Sequence, residues 1–295
     1  MGPHDETASR RGIAAALGAA LLFGAGAPLA KALLGALSPW TMAGLLYLGA
    51  GIGLALWRIA RHAPPVRLAP GEWRWLAGAV AAGGVAGPVL LMLGLARLPA
   101  SGASLLLNFE AVFTALLAWF AFRENFDRRV AFGMLAIVAG AALLGWPGEA
   151  RFGPAWPAAA VLGACLCWAL DNNLTRKVAL ADAAWIAMVK GLVAGPVNLA
   201  LAFALGAALP PPAASAAAML LGLCAYGASL ALYVVGLRHL GSARTGAYFS
   251  VAPVFGALLA LAMGEPLTLP LAAAAALRSE ERRVGEECRS RWEPV

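Results

Sequence analysis

Charge is what this 295-residue chain has least of: only 13% of its residues are Asp, Glu, Lys or Arg, against 61% hydrophobic ones. Soluble domains carry about 25% charged residues, and an apolar core needs polar side chains to cover it. That scarcity, with a mean hydropathy of +0.77, excludes a soluble enzyme and a disordered chain. Histidine is nearly absent. His4, His62 and His239 all fall in tails or loops, so no metal or acid–base set lies within an apolar stretch, which argues against an intramembrane enzyme acting on lipid. The four cysteines have no metal-ligand spacing with a histidine, and no disulfide scaffold follows from them. No Gly-rich loop ends in Lys-Ser/Thr, so no ATP-binding loop is visible. Neither a cofactor nor a bound metal is expected.

What the chain does have is long apolar runs. A helix needs about 20 such residues to cross the hydrocarbon. That ruler places spans at Gly12–Leu34, Pro39–Trp57, Trp75–Ala96, Ala103–Phe122, Val130–Trp146, Trp156–Leu174, Trp185–Leu209, Ala214–Leu237 and Thr245–Met263. A tenth, Leu267–Leu277, is half-length. Continuous runs exclude a membrane β-barrel, whose strands alternate in polarity. The run after Arg10 and Arg11 reads as an uncleaved first span rather than a signal peptide.

The net charge of +7 does not mark a nucleic-acid binder, because the arginines punctuate the apolar runs instead of forming one patch. With the N-terminus inside, inner segments hold 13 Lys and Arg and outer ones hold Lys31, Arg97 and Arg151, which obeys the positive-inside rule. Three lysines against 19 arginines hint at a GC-rich bacterial genome and a cytoplasmic membrane. Trp40, Trp57, Trp75, Trp146, Trp156 and Trp185 stand at span ends as interface anchors.

The chain also repeats itself. A shift of 145 sets Leu17-Gly18-Ala19 on Leu162-Gly163-Ala164, Lys31 on Arg176 and Trp40 on Trp185. A shift of 142 sets Gly94-Leu95 on Gly236-Leu237 and Val112-Phe113 on Val254-Phe255, and Glu124 answers Glu265 one residue off that register. Five spans per copy turn the second copy upside down. The expected fold is therefore all-α: ten transmembrane helices as two inverted five-helix repeats, the tenth truncated, with a site between the halves near mid-bilayer. The corresponding division is a cytoplasmic tail 1–11, repeats 12–146 and 156–277, an outside linker 147–155, and a charged tail 278–295. That tail is expected to be a frameshift or junction artefact rather than an amphipathic cytoplasmic helix.

The segment from Leu105 to Trp119 (LLLNFEAVFTALLAW), closed by Arg123-Glu124-Asn125, resembles the fourth-helix signature of EamA-domain transporters, in the drug/metabolite transporter superfamily. Its echo, Ala252 to Leu259 closed by Gly264-Glu265, does too. The resemblance implies ten helices, a central cavity, and movement of small metabolites, commonly outward. The family often has an arginine partway along the second helix, where this chain has Leu46 and Tyr47.

Ionisable residues inside spans mark candidate sites. Glu110, with Thr114 one turn on, is a desolvated carboxyl able to carry a proton or to accept a hydrogen bond from a substrate amine or hydroxyl. Asp171 and Lys190 fall at similar depth in a helical hairpin and are expected to pair. Trp168, Asp171, Asn172 and Thr175 share one helix face by their i, i+3, i+4, i+7 spacing. Asn173 and Asn108 fall off that pattern. Tyr226, Tyr233, Tyr248 and Ser250 are candidates to line the second half. The glycines around Gly49–Gly53 and Gly83–Gly87 follow no strand, so they read as close helix packing, and Pro28, Pro88, Pro196 and Pro253 as kinks. The leading reading is a secondary transporter with a small-molecule substrate, with protons as the candidate exchange partner. A non-transporting membrane receptor or scaffold is the alternative, and predicts no polar site at the midplane.

Overall fold

The computed structural model describes residues 3–121, 155–178, 182–249 and 251–266. The expected span Val130–Trp146, the linker up to 154, the Leu267–Leu277 half-span, the 278–295 tail and Ser250 lie outside them.

Among the described residues every regular element is helical. They are α1 (Pro3–Leu33), α2 (Pro39–Ala60), α3 (Trp73–Leu95), α4 (Ala100–Leu106), α5 (Phe109–Phe120), α6 (Trp156–Arg176), α7 (Ala183–Ala204), α8 (residues 212–249) and α9 (Ala252–Ala262). Five described segments are long and apolar enough to cross a membrane: Arg10–Leu33, Pro39–Ala60, Trp73–Leu95, Ala183–Ala204 and Pro212–Gly236. Many large apolar side chains point outward, among them Leu21, Ile59, Phe120 and Leu220, as a lipid-facing surface requires.

Local chemistry sets the helix ends. Ser38 caps α2, its Oγ accepting the Thr41 N–H at 3.1 Å, with Pro39 in the first turn where its missing N–H costs nothing. Asp182 caps α7 by accepting from the Ala184 and Trp185 amides at 2.8 and 3.3 Å. Inside the bundle the helices meet through small residues. At the α2–α7 crossing Gly51 lies backbone to backbone with Gly191, and a Cβ on either would overlap the other helix.

Four local departures from the expected spans matter. The first is a π-helical turn in α3, Val80–Ala86. Pro88 has no N–H to offer the Gly84 carbonyl four residues back, and the wider turn frees backbone acceptors. A second π turn, Leu223–Ala228, widens α8.

The expected span Ala103–Phe122 is instead two helices parted at residues 107–108. There the Leu106 carbonyl accepts the Cys165 thiol at 3.5 Å, and the Glu110 N–H reaches back only to Leu107, at 3.1 Å.

The fourth departure is at 238–244, where the sequence leads one to expect a loop. Helix α8 runs through this stretch to Phe249. Arg, His, Gly and Ser look like loop residues there, but the interval holds no proline. The helix stops where Pro253 leaves the Phe249 carbonyl without a donor. Pro28 and Pro196 lie within helices that continue past them.

Candidate translocation site

The freed carbonyls of the α3 π turn organise the interior. Gly83 O accepts from Tyr47 Oη of α2 at 2.7 Å and from Trp168 Nε1 of α6 at 2.9 Å. Gly84 O accepts from Asn198 Nδ2 of α7 at 3.1 Å. Three helices are thus fastened to one turn of a fourth. Gly83 and Gly87 have no side chain because none fits: a Cβ on Gly83 would run into the Asp171 carboxylate, and one on Gly87 into the Trp168 indole.

Asp171 and Lys190 form the expected ion pair. Their side chains keep only 10% and 14% of their exposure, and Thr175 Oγ1 donates to Asp171 Oδ1 at 2.8 Å. Burial this deep makes each charge dependent on the other.

Glu110 lies on α5 and is half-buried. Asn172 Nδ2 donates to its Oε1 at 2.9 Å and lies 3.3 Å from Thr114 Oγ1. The Asp171 and Lys190 charges and the Tyr226 hydroxyl are within electrostatic reach of this carboxyl. Glu110, Thr114 and Asn172 form one cluster; Trp168, Asp171, Thr175 and Lys190 gather beside Gly83 as another.

The polar face expected on α6 therefore divides. Trp168, Asp171 and Thr175 serve α3 and α7, while Asn172 turns to α5. Asn173, set aside on spacing grounds, is buried and bridges to α5, donating to Thr114 O at 3.1 Å and to Ala169 O at 2.9 Å.

A small cavity of ≈ 20 Å³ is walled by residues from both halves of the sequence, Phe23, Leu91, Ser104, Trp168, Tyr226 and Pro253 among them. It is room for about one water molecule. Rings crowd it: Phe23 meets Tyr226 edge-on at 6.0 Å, and Tyr47 lies 5.7 Å from Tyr226. Ser104 Oγ is buried and lacks a hydrogen-bond partner among the described residues, as does Asn198 Oδ1. Tyr248 is half-buried but is not among the residues lining this cavity; Tyr233 packs on Phe249 at 5.0 Å.

Ties at the two ends of the bundle frame this interior. At one end Lys31 Nζ donates to the Leu98 carbonyl, and Glu265 caps α4, accepting from the Ser101 amide at 2.9 Å and from that of Ala100. Burial alone pushes the Glu265 carboxyl up; Ser101, the two amides and Lys31 outweigh it and hold it below its ordinary value. At the other end Arg58 pairs with Asp182 and donates to Pro64 O at 2.8 Å. Burial likewise raises Asp182, but Arg58 and the two cap amides leave it lowered.

Sequence reasoning missed Tyr47, Ser104, Asn198 and Phe23 as site residues. For Tyr47 a signal existed, since it stands where the resembling family often has an arginine. Nothing set Ser104 apart from other small residues in apolar runs.

The model of the EamA-like transporter family matches this chain twice, over residues 10–146 and 155–277. An uncharacterized transporter of Methanothermobacter thermautotrophicus is 28% identical over 290 residues, covering 90% of this chain and 84% of that protein. A protein of known crystal structure, 19% identical, superposes with a TM-score of 0.70 over 98% of this chain and 99% of its own, a likeness of fold.

Proposed function

The chain belongs to the EamA-like transporter family, and from that premise we propose that it is a secondary transporter, exporting a small organic metabolite across the cytoplasmic membrane by alternating access. The observation that carries this is the pairing of two polar clusters, Glu110–Asn172–Thr114 and Asp171–Lys190, beside a cavity walled by residues from both halves. Charges cost too much inside a membrane to be kept there without a role. A receptor or scaffold has no need of such an interior.

Two inverted repeats, 12–146 and 156–277, with the N-terminus inside, complete the reading. Several features support it. The family match itself falls into two segments. The last residues of the two π turns, Ala86 and Ala228, are 142 apart, the spacing found in the sequence. The helices that begin at Phe109 and Ala252 start 143 residues apart, within one residue of that spacing. In this reading Lys31, Leu98 and Glu265 meet at the outer face, and Arg58 and Asp182 at the inner one. Glu110 is the proton carrier, alternately open to either side.

The test is flux in liposomes. The purified protein, given a metabolite mixture and an inward pH gradient, should accumulate or release one solute class. Glu110→Gln, an isostere that keeps the Asn172 contact, should abolish the dependence on that gradient while the protein stays monodisperse. Gradient-driven flux unchanged in Glu110→Gln removes the carboxyl from the mechanism.

A further inference from the structure

The charges and rings around the cavity favour one class of occupant. The clusters bring two carboxylates and one ammonium together, and they are not evenly matched. Lys190 is held by Asp171, with Thr175 donating to the same carboxylate oxygen. Glu110 receives the neutral amide of Asn172, and no cation touches it among the described residues. Among the described residues this half-buried carboxyl therefore has no protein charge in contact with it.

The walls add a second preference. Tyr47 and Trp168 both have their donors occupied by the Gly83 carbonyl, so what remains to a neighbour is mainly the face of each ring. Phe23 and Tyr226 add two more, and Trp168, Phe23 and Tyr226 line the cavity directly. Ring faces are electron-rich, and an aromatic cage beside a carboxylate is a physical trap for an alkylammonium. Ser104 supplies the third feature: 2% exposed, lining the same cavity, its hydroxyl oxygen unpartnered among the described residues. A buried hydroxyl without a partner is costly, and an N–H from a ligand relieves it. One turn beyond Ser104, Leu107 also lines the cavity; Glu110 is not itself a lining residue, but it lies just past the break at 107–108 and within electrostatic reach of Tyr226, which is one.

We propose that this cavity binds an organic ammonium ion carrying an apolar or aromatic body, with Glu110 balancing its charge, Ser104 accepting one of its N–H groups, and Phe23, Trp168 and Tyr226 facing its hydrocarbon. The inference deepens the transporter reading and rests on it for the cavity being the substrate's. An anion meets the unbalanced carboxyl and finds Lys190 already taken. A neutral analogue keeps the rings but gains nothing from Glu110. With ≈ 20 Å³ free in the state described, the occupant enters as the rings part.

Three probes of one shape separate these cases at neutral pH: 2-phenylethylamine (cation), 2-phenylethanol (neutral) and 3-phenylpropionate (anion). Binding is measured by equilibrium dialysis against the full-length protein in an uncharged detergent, with protein-free micelles subtracted. The amine should bind about 30-fold tighter than the alcohol, equivalent to about 2 kcal/mol at 1.4 kcal/mol per decade, and the anion weakest of the three. Glu110→Gln should bring amine and alcohol within about threefold, and Ser104→Ala should weaken the amine alone. Equal affinities in the unaltered protein, a preference for the anion, no amine binding, or a preference that survives Glu110→Gln in monodisperse protein each overturn the proposal. The comparison on unaltered protein stands whether or not the variants fold. Selective amine binding without flux of any solute in liposomes would sink the transporter reading instead; flux of some other solute with no amine preference would sink only this inference.

Discussion

Neutralising one partner of the Asp171–Lys190 pair exposes what each charge depends on. With side-chain exposures of 10% and 14%, either charge left alone has little water to turn to, so Asp171→Asn or Lys190→Gln should each destabilise the protein by about 3 kcal/mol. The double variant Asp171→Asn/Lys190→Gln removes both charges, keeps the volume and leaves two amides able to hydrogen-bond. It should lie within about 1 kcal/mol of the parent, because a neutral replacement of a buried pair is often close to neutral in stability. Exchanging the charges is the poorer experiment. The space at Gly83 is filled by the Asp171 carboxylate, and a lysine at 171 must also fit a longer stem there, an overpacking worth about 1–3 kcal/mol. Equilibrium unfolding in mixed micelles reads all three values as a double-mutant cycle. Single losses below about 1 kcal/mol, or a double loss equal to the sum of the singles, would refute the pairing. Flux in the double variant then separates two roles: a folded but inactive protein means the charges act in transport, and an active one means they only hold α6 to α7.

The end ties make two further predictions. Because the Glu265 carboxyl sits below its ordinary 4.5, the stability it contributes is present above that value and is lost as pH falls through the lowered one. Thermal unfolding between pH 6 and pH 3 should show an acid-side loss that Glu265→Gln lessens, the share of the likewise lowered Asp182 remaining, and a variant that loses as much as the parent would contradict the cap. Asp182→Ala removes both the α7 cap, worth about 1 kcal/mol, and the counter-charge of Arg58, which is 7% exposed. It should therefore destabilise more than Ser38→Ala, which removes a cap alone, and the same unfolding assay ranks the two.

Different parts of this interior were legible in the sequence to different degrees, for physical reasons. The Asp171–Lys190 contact followed from depth: two charges at similar distances from the turn of an antiparallel hairpin are bound to meet, since being unpaired in the membrane is so costly. The helical period groups Trp168, Asp171 and Asn172 on one face, but a face is wide, and the positions of α3, α5 and α7 divide it. The glycines of α3 were legible as close packing, though not as room for a carboxylate. Ser104 and Asn198 were invisible because a small polar residue in an apolar run declares nothing until its surroundings leave it without a partner. The continuation of α8 through 238–244 was missed because charge and glycine signal a loop only when no neighbouring helix stabilises the segment. The π turns have no simple residue code: Pro88 follows one, and no proline lies within or just after the other.

That difference between the π turns leads to the last prediction. The turn in α3 has its Gly83 and Gly84 carbonyls bound by Tyr47, Trp168 and Asn198. The 145-residue shift pairs those three positions with Leu192, Phe23 and Gly53, and none of these side chains carries a donor. Among the described residues the corresponding turn in α8 has no counterpart of the three hydrogen bonds that fasten α3, and ring packing meets it where Phe23 lies 6.0 Å from Tyr226. Each such bond contributes about 1 kcal/mol net, so opening the α8 turn should be easier by about 3 kcal/mol, or more than 100-fold in population at 1.4 kcal/mol per decade. Amide hydrogen exchange, read on peptides covering 80–88 and 222–230 of the detergent-solubilised protein, should be correspondingly faster in the second. Tyr47→Phe combined with Asn198→Leu should bring the first toward it. Equal protection of the two turns, or faster exchange in α3, would show that the side-chain bonds do not stiffen the helix, and the asymmetry would then carry no mechanical meaning. If the difference is found, the α8 turn is the softer of two matched joints, and bending during a transport cycle would begin on the side of the cavity that holds Tyr226.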